Sequence, residues 1–228
     1  MDVFGFPTGP FQTNCYVATG AAEMDDLARP CVIIDPGMGA AATIRDEVAE
    51  RNLAPEAIVL THGHIDHIRD VAELARHWEI PVYIHPADNI MLADPSAVPS
   101  SFGALFNLET MQPVTDAEFF SDGEQLKFAG LSVEIIHAPG HSPGCVMLRV
   151  SDGADELLFS GDVLFAGAIG RTDLPGSDPA AMRQSLKSKV LPLADELMIL
   201  PGHGPTSTIG QERQYNPFLL EIMASEKN

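Results

Sequence analysis

The sequence predicts an α/β fold in one domain, built from two β-rich halves that are each flanked by helix. Short apolar runs rich in β-branched residues recur through both halves and stop at Pro or Gly, which is the signature of strands. Stretches with helical apolar spacing alternate with them. No Gly/Ser linker, low-complexity tract or charge block divides the 228 residues, a length that one mixed domain commonly reaches.

In chain order, "NCYVAT" (Asn14 to Thr19), "CVIIDPG" (Cys31 to Gly37), "AIVLTH" (Ala57 to His62) and "PVYIHP" (Pro81 to Pro86) read as strands. Between them, Ala41 to Asn52 carries Ile44 and Val48 four apart. Asp66 to Trp78 carries Ile68, Val71, Ala72 and Ala75 on one helical face. The second half repeats the pattern with "LSVEIIHAPG" (Leu131 to Gly140), "CVMLRV" (Cys145 to Val150), "ELLFSGD" (Glu156 to Asp162) and "LMILPGHG" (Leu197 to Gly204), and with a helix over Pro179 to Val190. The stretch 88–125 has three prolines and no period. It is either a lid over a site or a long surface excursion.

Charge and cysteine usage narrow the function classes. Thirteen Lys and Arg stand against 32 Asp and Glu, a net charge of −19. With no basic cluster, the phosphate contacts that dominate nucleic-acid binding have no source. Cys15, Cys31 and Cys145 are an odd set of 3 within apolar runs, which indicates buried thiols and neither a disulfide framework nor a CxxC metal site. Met1 to Pro10 lacks the features of a signal peptide, and no run reaches the ~20 apolar residues of a membrane span, so the cytoplasm is expected.

Polar residues gather where the strands end. "LTHGHIDHI" packs His62, His64, Asp66 and His67 into six positions, and His141, Asp162 and His203 each follow another strand candidate. The alternation of side chains in a strand leaving into a loop puts His62 and His64 on the same side, within reach of one ion. Asp66 stands at the start of the predicted helix, as its N-cap, with an oxygen free for a second ion. Zinc-type ions take about four ligands from imidazole nitrogen and carboxylate oxygen, and hydrolytic sites keep a position open for water. The inventory fits two such ions: His62, His64 and His141 on one, Asp66, His67 and His203 on the other, and Asp162 between them. A single histidine on a polar loop is ordinary, and His77, His85 and His137 are read that way. The clustering of 5 of the 8 histidines with two aspartates at equivalent strand ends is not ordinary.

THGHIDH, APGH, SGD and PGHG together resemble the metallo-β-lactamase superfamily, and "GDVLFAGAIGRTDLPGSD" (Gly161 to Asp178) is similar to its glyoxalase II branch, the hydroxyacylglutathione hydrolases. The likeness runs from "NCYV" to "PGHG". It implies an αββα sandwich with a dinuclear centre on the edge where the halves meet, and the same partition of the seven ligands with Asp162 bridging. It further implies that Asp35 orients the ligands and that Arg171 and Asp173 support the bridging region, their plain alternatives being a turn residue and a surface ion pair. His67 and Asp162 replace the Arg and Cys of the commonest zinc β-lactamases, which argues against antibiotic hydrolysis.

The activity so implied is hydrolysis of a small-molecule thioester, an S-2-hydroxyacylglutathione or a related thiol ester, to a hydroxy acid and free thiol. The attacking hydroxide would bridge two divalent ions, zinc by ligand type, with iron or manganese as alternatives. Asp66 and Asp162 are its catalytic carboxylates. A thiolate leaves readily, its thiol pKa being about 8.5, so no general acid is required. Longer relatives carry a C-terminal glutathione-binding region. Here about two dozen residues follow His203, with Arg213, Tyr215 and Lys227 as polar candidates, so the thiol is open. The alternative activity is a persulfide dioxygenase with a single iron on two His and one Asp. No membrane or nucleic-acid partner is expected, and the chain is read as a monomer or small homo-oligomer.

Overall fold

The computed structural model describes residues 1–20 and 28–225. Within them, the first half forms a six-stranded sheet of β1 (Asp2–Thr8), β2 (Thr13–Thr19), β3 (Arg29–Ile34), β4 (Leu53–Val59), β5 (Val82–Ile84) and β6 (Glu118–Phe119), in that spatial order. From β3 onward neighbouring strands run parallel, which requires crossovers. Helix α1 (Ala40–Glu50) makes the first, and α2 (Ile65–Ile68) with α3 (Val71–Trp78) makes the second.

The second half supplies β7 (Gln125–Phe128), β8 (Leu131–His137), β9 (Val146–Ser151) and β10 (Glu156–Gly161). A small hairpin follows, β11 (Leu164–Phe165) with β12 (Ala168–Ile169), and then β13 (Met198–Pro201) and β14 (Ser207–Thr208). The six-stranded sheet here runs β14-β13-β10-β9-β8-β7.

Alternation of side chains sorts each strand into two cores. In β2 and β3, Cys15, Val17, Cys31 and Ile33 face α1 and α3, whereas Tyr16, Ala18, Val32 and Ile34 face the other sheet. In β9, Leu148 and Val150 meet them there, while Met147, with Cys145 just before the strand, turns outward to the helices of the second half. The layers are therefore helix, sheet, sheet, helix, the αββα arrangement implied by the resemblance. Both faces of the central strands are buried, which is why the strands read as continuous apolar runs. The Tyr16 and Phe159 rings meet edge to face at 5.2 Å between the sheets. All three cysteines are buried and unpaired.

Several predicted elements differ from the observed ones. The helix over 66–78 breaks after Ile68, because Asp70 turns away to accept the Ala41 N–H at 3.1 Å while its own N–H donates to the Pro36 carbonyl. Asp66 is thus inside the first turn of α2 and is not an N-cap. The helix over 179–190 is α-helical from Pro179 to Ser185 (α5, following the short α4, Asn89–Ala93) and widens to a π turn over Leu186–Val190. Strand β1 and helices α6 (Ile209–Tyr215) and α7 (Pro217–Ser225) were not anticipated.

The stretch 88–125 contains α4, single 3-10 turns and β6. Val98, Phe106, Met111 and Val114 sink into the core beside α3, and the Arg69 guanidinium clasps the Phe106 and Asn107 carbonyls. No helix of the described residues is long and apolar enough to cross a membrane.

Candidate metal centre

Strands β3, β4, β8, β10 and β13 all end at one edge of the sandwich, and their exit loops carry the polar residues. Hydrogen bonds join the sheets here: the Asn14 N–H donates to the Gly202 carbonyl at 2.7 Å and the Val146 N–H to the Thr61 carbonyl at 2.8 Å. The edge is therefore fixed by backbone from both halves before any ligand side chain is considered.

All seven predicted ligands meet at this edge. His62, His64 and His141 form one group, and Asp66, His67 and His203 another; within each, one ligand atom per residue lies within 4.8 Å of the others. Asp162 stands between the two. Its Oδ2 is 3.3 Å from His141 Nε2 and 3.4 Å from His203 Nε2, and its Oδ1 is 3.4 Å from His67 Nε2. His77, His85 and His137 lie in neither group.

Hydrogen bonds on the outer side of His62, His67, His141 and His203 decide which nitrogen faces the cluster, whereas His64 turns its Nδ1 inward, 2.8 Å from His141 Nε2. His141 Nδ1 lies 2.8 Å from the Arg171 carbonyl and His203 Nδ1 lies 3.1 Å from the Phe11 carbonyl. A carbonyl only accepts, so both Nδ1 atoms carry the proton. Asp35 accepts the Thr61 N–H at 2.8 Å and the Thr61 hydroxyl at 2.5 Å, and its Oδ2 is 3.0 Å from His67 Nδ1. With the Thr61 proton committed to Asp35, Thr61 Oγ1 accepts from His62 Nδ1 at 3.1 Å. The left-handed backbone of Asp35 (φ 50) is held by these contacts. Asp35 stands against His67 and Thr61, where the resemblance would have it.

Among the described buried atoms, His62 Nε2, His67 Nε2 and Asp162 Oδ1 have no hydrogen-bond partner. Buried polar atoms left without partners are costly, and their convergence is what a cation would satisfy. Imidazole and carboxylate donors suit zinc and also iron or manganese, so the residues fit divalent metal.

Electrostatics agree. Burial, with the charges of neighbouring histidines, drives His62 far below the ordinary imidazole range and His64 to about 4. Burial opposes the shift of Asp66, but the His67 charge and a His203 hydrogen bond hold it down at about 2. Asp162 is likewise kept well below the carboxylate range against its burial, first by the His67 charge. Burial would lower His67 and His203. The Asp66 and Asp162 charges nevertheless lift His67 well above normal, and hydrogen bonds to Asp162 and Asp66 lift His203 to about 9. In the metal-free protein, two carboxylates thus hold two protons that cations would displace.

Three supporting residues were not found from sequence. Thr13 donates to Asp66 Oδ2 at 2.8 Å, Thr61 couples Asp35 to His62, and buried Asp88 accepts from Gly63, Ser142 and Gly144. Thr61 adjoins the histidine cluster and was the one with a local signal. Arg171 and Asp173 pair at 2.7 and 2.8 Å with exposed side chains, so the ion pair is at the surface, and it is the Arg171 backbone that supports His141. Arg213 is engaged by the Leu191 and Leu193 carbonyls, Tyr215 is exposed, and neither lines the site; Lys227 lies outside the described residues.

A cavity of about 680 Å³ opens over the cluster, with His64, Asp66, His141, Asp162 and His203 in its lining. A second cavity of about 700 Å³, beside α3 and Pro113, contains none of the seven.

A family model described as the metallo-beta-lactamase superfamily matches residues 8–203. The hydroxyacylglutathione hydrolase GloC of Haemophilus influenzae is 36% identical over 96% of this chain and 98% of its own. A probable metallo-hydrolase of Bacillus subtilis, YqgX, is 40% identical over 93% and 95%. Among solved structures, BLEG-1 B3 metallo-beta-lactamase is 39% identical with a TM-score of 0.80, covering 96% of this chain and 99% of that one. TTHA1623 in a di-iron-bound form is 36% identical with a TM-score of 0.79, covering 95% and 100%.

Proposed function

The chain belongs to the metallo-beta-lactamase superfamily, and from that premise we propose that it is a dinuclear metal-dependent hydrolase that cleaves the thioester of a small thiol. The observation that carries the reading is Asp162, whose carboxylate reaches Nε2 atoms of both ligand groups at 3.3–3.4 Å. His62, His64 and His141 would hold one ion, Asp66, His67 and His203 the other. The likeness to a hydroxyacylglutathione hydrolase supports the thioester. The di-iron form of a 36% identical relative supports two ions and keeps iron beside zinc as the metal.

Divalent ions held here supply Lewis acidity that lowers the pKa of water toward neutrality and polarises an acyl carbonyl. The chain supplies the rest. The Thr13 hydroxyl fixes Asp66 Oδ2 at 2.8 Å, so this carboxylate orients the attacking water without itself moving. Asp162 holds both ligand groups at one spacing. The outward Nδ1–H bonds of His62, His67, His141 and His203 keep these imidazoles in the tautomer that leaves Nε2 to ligate. The thiolate product needs no protein acid to leave.

Metal analysis combined with an assay of lactoyl thioesters of several thiols tests the reading. Two equivalents of metal with hydrolysis support it, and one iron with oxygen uptake on a persulfide overturns it. A second reading is β-lactam hydrolysis, favoured by the 39% identity to a protein named a B3 metallo-beta-lactamase. Turnover of a chromogenic cephalosporin without thioester cleavage would establish it in place of the first.

A further inference from the structure

The walls of the cavity over the metal ligands are apolar and its floor is charged. Phe11, Ile90, Val98, Phe102, Phe165 and Leu174 supply its apolar lining. The wall is built in advance of any ligand. Phe11, Phe102 and fully buried Phe106 meet edge to face, with centroids 5.9, 5.2 and 6.1 Å apart. Even so, Phe11 is 43% and Ile90 59% exposed.

This wall adjoins the reacting centre directly. The Phe11 carbonyl accepts from His203 Nδ1 at 3.1 Å, and the Phe165 ring lies 5.8 Å from the His203 ring. Charge complementarity for a peptide thiol is missing. Arg171 is the single Arg or Lys among the described lining residues, and its guanidinium already pairs with Asp173 at 2.7 and 2.8 Å. The lining acids are already engaged, Asp88 by the Gly63, Ser142 and Gly144 donors and Asp66 and Asp162 among the ligand histidines, and the lining offers no further Arg or Lys to a second carboxylate. A thiol bearing two carboxylates would bury charge without a partner, which binding sites avoid.

We propose that this cavity recognises an apolar alkyl or aryl substituent of the thioester and discriminates against multiply charged peptide thiols, with Phe11, Ile90 and Phe102 as its specificity-determining side chains. The proposal rests on reading the site as a thioester hydrolase centre. The substituent extends from the acyl carbon at the ligands along the phenylalanine wall, so its burial scales with chain length.

Calorimetric binding to the zinc-loaded protein tests this and separates the two sides of the thioester. Straight-chain carboxylates from acetate to octanoate probe the acyl side, and ethanethiol to hexanethiol the thiol side. In at least one series Kd falls about fourfold per methylene, equivalent to ~0.8 kcal/mol, and glutathione binds no tighter than 2-mercaptoethanol. Ile90→Gln, at an exposed position that leaves the fold intact, and Phe102→Ser each flatten the slope below about twofold per methylene. Two flat series, slopes unchanged in both variants, or glutathione as the tightest ligand would overturn the proposal. If long chains bind but no thioester is cleaved, the hydrolase reading fails and apolar recognition stands. Cleavage of lactoyl thioesters with flat series overturns the recognition alone.

Discussion

The Asp88 carboxylate accepts the Gly63 N–H at 3.0 Å, and so fastens the loop between His62 and His64 from outside the ligand set. The same carboxylate accepts the Ser142 hydroxyl at 2.5 Å and the Gly144 N–H at 2.6 Å, which ties down the loop that carries His141. One buried side chain therefore sets the spacing of three imidazoles contributed by two halves of the fold. Replacing an oxygen by an amide nitrogen sets N–H against N–H. Asp88→Asn is expected to lower stability by about 1–3 kcal/mol and to weaken zinc binding at the His62, His64 and His141 group. Urea unfolding and a competitive chelator titration measure the two effects, and unchanged affinity would contradict the role.

Asp35 acts on the other group. Its Oδ2 lies 3.0 Å from His67 Nδ1 and also accepts the Thr61 hydroxyl, so it receives the Nδ1 proton and leaves His67 Nε2 as the nitrogen turned to the ligand group. In Asp35→Asn an amide N–H faces either His67 Nδ1 or the Thr61 N–H, and the first arrangement flips the tautomer. Zinc affinity is expected to drop about 10–100-fold, the usual effect of losing such a partner. Imidazole ¹⁵N shifts of His67 report the tautomer and distinguish this from general loosening.

How much of this was legible in the sequence follows from where each contact is made. The seven ligands stood out because they concentrate at strand ends and because "THGHIDH" crowds four of them together. Asp88 did not, since its three donors come from residues 25 to 56 positions away. The strands were legible as apolar runs, but burial on both faces hides which residue meets which core. The break between α2 and α3 was hidden because Ile68, Val71, Ala72 and Ala75 keep helical period across it. The cause is tertiary, the contact of Asp70 with Ala41. Strand β1 escaped notice because Gly5 and Pro7 interrupt its apolar pattern, while its seven residues pair in full with β2.

Protons held by the carboxylates give the metal-free protein an unusual pH response. His203 is raised to about 9, so its contribution to stability is fully present below its ordinary pKa of about 6.5 and is lost as pH rises through 9. Asp66, lowered to about 2, contributes above its ordinary range and is lost only as pH falls toward 2. The melting temperature of the metal-free protein is therefore expected to fall between pH 6.5 and 9. Zinc binding displaces the same protons and strengthens over that interval, by about tenfold per pH unit for each proton released. Calorimetry in buffers of different ionisation enthalpy counts these protons. Equal release at pH 7 and pH 10 would contradict the assignment.

Gly202 is fixed on both sides, its N–H donating to the Gly161 carbonyl at 2.9 Å and its carbonyl accepting from Asn14 at 2.7 Å. A Cβ added there would lie 2.2 Å from Asp162 Oδ1 and 2.8 Å from His67 Cε1. Since the backbone cannot retreat, the carboxylate between the two ligand groups must. Gly202→Ala is expected to retain the far-ultraviolet dichroism of the native fold and to bind fewer than two equivalents of zinc. Gly204→Ala provides the contrast. Its Cβ would meet open space, but φ is +77, so a backbone cost of about 1–2 kcal/mol is expected with metal stoichiometry unchanged. If both variants lose metal together, the effect is one of loop strain. If Gly202→Ala alone does, the close approach of backbone to Asp162 is what permits the dinuclear site.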